Sequence, residues 1–178
     1  WKERVGHKEA ERIKNEASNR GSSMHSYIEQ FLLGKFNLDL LEENNKSKKM
    51  ATEIIDSGLK NKLSEIWGAE ATVYYPGKYA GTADCIGIYE GKETILDFKQ
   101  SNKPKKEEYI EDYYLQIGAY SLAHNTVYNS KITQGAILLC TVDGLFQDFK
   151  IEGNKLINFQ NKFLDRVEQF HNQLRKKV

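Results

Sequence analysis

Apolar residues recur at helical spacing over residues 23–33, where Met24, Tyr27, Ile28, Phe31 and Leu32 would share one buried face. Residues 8–19 predict a helix before it, which Gly21 is expected to interrupt. The polar segment 35–47 predicts a loop, and a third helix is expected over about 48–66, with Met50, Ile54, Leu59 and Leu63 turned inward. The pattern then changes to strands, at about 69–75, 79–89 and 93–101, the last two joined by a tight turn at Tyr89-Glu90-Gly91-Lys92. Pro104 ends the strand pattern in the loop that follows. Residues 107–124 are apolar on nearly every side and predict a buried helix. GAILLCTV (135–142) reads as a central strand and FQDFKI (146–151) alternates as an edge strand does. A closing helix over about 154–176 carries a regular seam of Leu156, Phe159, Phe163, Val167, Phe170 and Leu174. This order implies an α/β fold with a mixed sheet flanked by helices, the helix between the third and fourth strands serving as a parallel crossover. At 178 residues one domain is expected, with a helical region at 1–66 and a sheet core at 67–178.

Two of the strands carry charges that a core does not welcome. In GTADCIGIYEGKETILDFKQS (81–101), Asp97 and Lys99 point to one face while Leu96 and Phe98 point to the other, and Asp84 reaches the same face from the preceding strand. At a solvated edge the three would be an ordinary ion pair of small energetic consequence. The apolar neighbours make that reading costly, because two buried carboxylates beside one ammonium leave a negative charge uncompensated. A divalent cation removes the cost, and hard oxygen ligands from Asp84 and Asp97 with one backbone carbonyl suit Mg²⁺ or Mn²⁺. His25 and Glu29 lie four residues apart on the second helix, which offers an imidazole as a further ligand. On the buried helix Gln116 and Tyr120 have the same spacing, with Tyr113 alongside; a buried amide needs partners, and a phosphate or Lys99 would serve.

Composition adds exclusions rather than a function. A net charge of +1 means that nucleic acid could be held only through local patches such as KSKK (46–49), KPKK (103–106) and RKK (175–177). No apolar run approaches the ~20 residues of a membrane span. The two cysteines, Cys85 and Cys140, fit a reducing compartment and cannot by themselves supply a four-thiolate iron–sulfur site. The chain opens on Trp1, so a preceding segment is expected.

Taken together, these motifs resemble the PD-(D/E)XK nuclease superfamily in its RecB-like branch. RGSSMHSYIE (20–29) is similar to the branch's histidine motif, GTAD (81–84) to its first aspartate motif, DFK (97–99) to its (D/E)XK element and LQIGAY (115–120) to its Gln-x-x-x-Tyr motif. Within the branch, GTADCIGIYEGKETILDFKQSNKPK resembles the family of mitochondrial genome maintenance exonucleases with its bacterial and phage relatives. The resemblance implies a restriction-endonuclease-like core with an N-terminal helical region over the site. It further implies that His25, Asp84, Asp97 and the Phe98 carbonyl hold the metal, that Lys99 orients or deprotonates a water, and that Gln116 positions Lys99. Nearby cations would favour neutral Lys99. Tyr120, Ser101, Ser22 and Ser23 would contact the substrate, the serines through hydroxyls and backbone N–H groups, with Glu29 and Glu70 in supporting roles. The implied activity is exonucleolytic hydrolysis of single-stranded DNA in replication, repair or recombination, with replication or recombination proteins as partners. No iron–sulfur cluster and no membrane are implied. A bacterial or phage setting in the host cytoplasm is expected, the mitochondrial matrix being the alternative. A structure-specific DNA endonuclease of the same fold and a non-catalytic single-strand-binding module are the other readings.

Overall fold

The computed structural model describes residues 2–35 and 45–176. A short helix α1 (Lys2–Val5) leads into a long α2 (His7–Leu32), and α3 (Lys46–Glu53) runs into a wide helical turn at Ile54–Leu59. Three strands follow, β1 (Leu63–Tyr75), β2 (Tyr79–Tyr89) and β3 (Lys92–Ser101), then α4 (Glu111–Tyr128), β4 (Gln134–Thr141), β5 (Phe146–Glu152) and α5 (Gly153–Arg175). The strands form one five-stranded sheet in the order β1-β2-β3-β4-β5. Neighbours are antiparallel except β3 and β4, which are parallel and joined by α4, the expected crossover.

The helical pattern misleads in three places. α2 passes through Gly21 unbroken. A glycine there costs roughly 1 kcal/mol, which the buried stripe Met24, Ile28 and Leu32 outweighs. The third helix stops at Glu53 and its wide turn at Leu59, far short of residue 66. Leu63 and Ile66 have helical spacing, but Asn61 adopts φ 61°, and Leu63 already pairs with Tyr89 across β1 and β2. In α5 the seam is buried at Leu156, Phe159 and Val167, whereas Phe170 and Leu174 are exposed. The expected loop at 35–47 falls for the most part outside the described residues.

Each face of the sheet has its own core. On one side Leu96, Phe98 and Leu138 pack under Met24, Ile28, Met50 and Ile54 of α2, α3 and the wide turn. On the other Ile86, Ile95 and Ile137 pack under Leu115 and Ile117 of α4 and Leu156 and Phe159 of α5. The candidate chemistry lies where these two layers meet at the β2–β3 boundary. No helix among the described residues is long and apolar enough to cross a membrane.

Candidate metal and active site

β2 and β3 stay paired from Tyr89–Lys92 to Cys85–Leu96 and then part. Past that fork the Phe98 N–H has no β2 backbone partner, and the Asp84 carboxylate takes its place, accepting the N–H through Oδ2 at 2.7 Å. Asp84 and Asp97 are both buried, at 8% and 1% exposure. The hairpin accepts the Asp84 carboxylate because the ladder opens there and leaves the Phe98 N–H to be satisfied.

α2 lays His25 across the mouth of this fork. Its Nε2 lies 2.8 Å from the Phe98 carbonyl, which only accepts, so Nε2 carries the proton and donates. The other ring nitrogen, Nδ1, faces Asp84 Oδ1 at 3.6 Å and Glu70 Oε1 at 3.7 Å. Glu70 reaches this point from β1, between the pairs Ala69–Cys85 and Ala71–Ala83, with φ at 46°. A left-handed non-glycine residue costs on the order of 1–3 kcal/mol and is common at functional sites. Donor atoms of His25, Glu70 and Asp84 all lie within 4.8 Å of one another. Two carboxylates and an imidazole nitrogen converge here, a donor set that suits a cation.

The helix that carries His25 is fastened to the far end of β3. Arg20 donates to Gln100 Oε1 at 2.9 Å and to Asn102 Oδ1 at 2.7 Å, while Gln100 Nε2 donates to the Ala17 carbonyl at 3.1 Å. These bonds set the position of α2 over the Phe98 carbonyl.

Asp97 and Lys99 form the second half of the site. The Lys99 ammonium donates to Asp97 Oδ1 at 2.8 Å and to Gln116 Oε1 at 3.2 Å, and sits 5.2 Å from the centre of the Tyr113 ring. Gln116 Nε2 in turn donates to the Tyr120 hydroxyl at 3.3 Å. Gly81 makes room for that tyrosine, since a Cβ there would lie 2.6 Å from the ring. Asp97 Oδ2 lies 2.7 Å from the same ammonium yet has no hydrogen bond of its own among the described residues. Both oxygens of the buried carboxylate thus face the Lys99 ammonium.

The protonation of the group follows from its burial. Burial, and then the neighbouring Asp97, push the Asp84 carboxyl up to about 6. Asp97 is raised as well, by burial, against the pull of Lys99 and His25. Burial works against the Lys99 ammonium, but Asp97 outweighs it and holds the group above its ordinary range. In this pairing Lys99 is a charged partner of Asp97.

Other sequence expectations are placed differently. Ser101 is buried, and its hydroxyl donates to the Lys103 carbonyl at 2.7 Å, so the turn after β3 uses the group expected to meet phosphate. Ser22 and Ser23 lie inside α2 rather than at a helix start, which commits their backbone N–H groups to the helix. Ser22 lines a cleft of about 600 Å³ with His25, Ser26, Glu29 and Glu70; Ser23 is exposed and does not line it. Glu70, read from sequence as supporting, belongs to the converging acceptors, whereas Asp97 lies outside that trio and the Phe98 carbonyl is held by His25. The roles of Arg20 and Gln100 had no sequence signal, because the pair is 80 residues apart.

No protein-family model matches the sequence. The chain is 30% identical to mitochondrial genome maintenance exonuclease 1 of Homo sapiens over 162 residues, 85% of this chain and 45% of that protein. With its counterpart from Xenopus tropicalis the identity is 28% over 162 residues, covering 85% and 44%. The chain thus spans less than half the length of these curated relatives. Among solved structures, a candidate exonuclease from Eubacterium rectale superposes with a TM-score of 0.55 over 86% of this chain and 65% of that one, at 15% identity. At that identity the likeness is one of fold.

Proposed function

We propose that this chain, which has the relatives and the sheet of a PD-(D/E)XK-like nuclease, is a divalent-metal-dependent exonuclease acting on single-stranded DNA. The observation that carries the reading is the convergence of His25 Nδ1, Glu70 and Asp84, whose donor atoms lie within 4.8 Å of one another. His25, Asp84 and Asp97 would hold Mg²⁺ or Mn²⁺, with Glu70 joining them; this oxygen-rich set with one imidazole fits such ions. When bound, the metal supplies charge stabilisation at the scissile phosphate and lowers the pKa of a coordinated water, which together contribute several kcal/mol.

The chain's own side chains do the rest. Lys99, held charged between Asp97 and Gln116, directs its free N–H toward the attacking water or a phosphate oxygen. Gln116 fixes the ammonium and passes its orientation to Tyr120, whose hydroxyl is then presented to the substrate backbone. Ser22 offers a hydroxyl from the wall of the cleft. The cleft is bounded by α2 on one side and Glu70 of β1 on the other, so a strand lying in it would pass the converging donors. The relatives are named for mitochondrial genome maintenance, which supports work in replication, repair or recombination.

End-labelled single- and double-stranded DNA, incubated with Mg²⁺ and with chelator, tests the reading. Short products from single strands, with covalently closed circles resistant, are expected. Asp97→Asn and Lys99→Ala should each lower turnover by at least a hundredfold while DNA binding survives. Unchanged turnover in either variant would remove both residues from the chemistry, and rapid cutting of circles would make the enzyme an endonuclease.

A further inference from the structure

The Gln116–Tyr120 spacing does not stop at the candidate site. His124 and Tyr128 continue it at i+4 steps, so one face of α4 carries Gln116, Tyr120, His124 and Tyr128 over about 18 Å at 1.5 Å per residue. At the far end of this stripe His124 faces Trp67 of β1, the two rings inclined by only 17° with centroids 6.3 Å apart. His124 also contacts Tyr128, at 4.7 Å. The three rings line a cleft of about 450 Å³ floored by Ala71, Val73 and Ile86.

The rings are held in place, and two of the three are open to solvent. His124 is buried, and its Nδ1 is 2.7 Å from the Ser130 hydroxyl, which donates to Asn125. The Trp67 indole N–H donates to Glu65 at 3.1 Å, and the register of β1 shifts twice, between Leu63 and Glu65 and between Ile66 and Gly68, Trp67 itself lying in the second. Such irregularities re-aim a side chain out of the pleat. Trp67 remains 44% and Tyr128 61% exposed. No lysine or arginine among the described residues lines the cleft, so it offers aromatic and apolar surface rather than cationic charge.

We propose that this cleft is a stacking subsite for an unpaired nucleobase of the same strand whose phosphate lies at the fork. The proposal rests on the single-strand nuclease reading and extends it. Two elements connect the sites: α4, through its stripe, and β1, which carries Trp67 three residues before Glu70. An apolar, aromatic cleft without cations suits a base face, and stacking of this kind tolerates every base. The subsite would grip the strand at a fixed distance from the reacting phosphate without reading its sequence.

The test uses the full chain with Trp1→Phe, which leaves Trp67 as its one tryptophan, and Lys99→Ala to prevent hydrolysis. Titration with an oligothymidylate octamer should quench Trp67 emission. A series of octamers with one abasic residue at successive positions should then show one position at which affinity falls between fivefold and a hundredfold, about what one stacked base contributes. Trp67→Ala, followed by anisotropy of a labelled octamer, should flatten that series, and Trp67→Phe should restore it. Both substitutions are at an exposed side chain, and equal melting temperatures would show that the fold is intact. A flat abasic series in the parent protein, or a series unchanged by Trp67→Ala, would overturn the subsite, as would absence of octamer binding. Failure of the nuclease reading registers separately, as the absence of Lys99-dependent cleavage, and leaves the abasic series decisive for the cleft.

Discussion

Replacing Asp84 by asparagine should make the metal-free protein more stable while destroying its response to metal. Asp84 accepts the Phe98 N–H through one oxygen, a bond that an asparagine side-chain carbonyl can keep. What the substitution removes is a charge that burial and Asp97 disfavour, raising the carboxyl from 3.8 to about 6. A carboxyl that holds its proton more tightly folded than unfolded weakens the fold as pH climbs through that interval, and the loss is complete above it. At pH 7.5 the loss is about 3 kcal/mol at 1.36 kcal/mol per pH unit. The Asp84→Asn protein avoids it, so in chelator the variant should melt about 6–12 °C higher, at 2–4 °C per kcal/mol for a chain of this size. The gap should shrink toward zero as the pH is lowered to 4. With Mg²⁺ at a hundredfold its dissociation constant the wild type should recover about 2.7 kcal/mol, and the order of stability should close or invert. Thermal unfolding of both proteins from pH 4 to 8, with chelator and with Mg²⁺, reads all of this as a difference in which other titrating groups cancel. A variant less stable than wild type in chelator at pH 7.5 would refute the reasoning, making Asp84 a structural anchor instead.

Further substitutions probe the rest of the site. His25→Ala should raise the Mg²⁺ concentration needed for half-maximal cleavage by at least tenfold, with a smaller change in DNA affinity, because the ring supplies Nδ1 to the acceptor trio; metal titration at fixed DNA checks this. Glu70→Gln should shift the same titration in the same direction, since its carboxylate faces the same point as Asp84. Gly81→Ala should cost on the order of 1–3 kcal/mol and slow cleavage, because the added Cβ lies 2.6 Å from the Tyr120 ring and must displace it from Gln116; melting and single-turnover kinetics measure the two effects.

Much of the architecture follows from local pattern. Alternation and apolar runs locate all five strands, because a strand buried on one or both faces writes its period directly into the chain. The same alternation puts Asp97 and Lys99 on one face, where the structure joins them in an ion pair. The motif spacings also announce a His, two Asp, a Lys and a Gln as one constellation, and the fold gathers His25, Asp84, Asp97, Lys99 and Gln116 around the fork. Tertiary contacts decided what has no local signature. Leu63 and Ile66 are spaced as in a helix, but pairing with β2 makes them strand. Glu70 enters the acceptor trio only because a left-handed backbone in β1 turns it toward His25. Lys99 is held charged by a buried carboxylate, and Ser101 is spent inside its own turn. Periodicity records which side of an element is apolar, a nearest-neighbour property. The aim of a side chain and the charge it carries depend on groups brought together from distant parts of the chain, and those are set by packing.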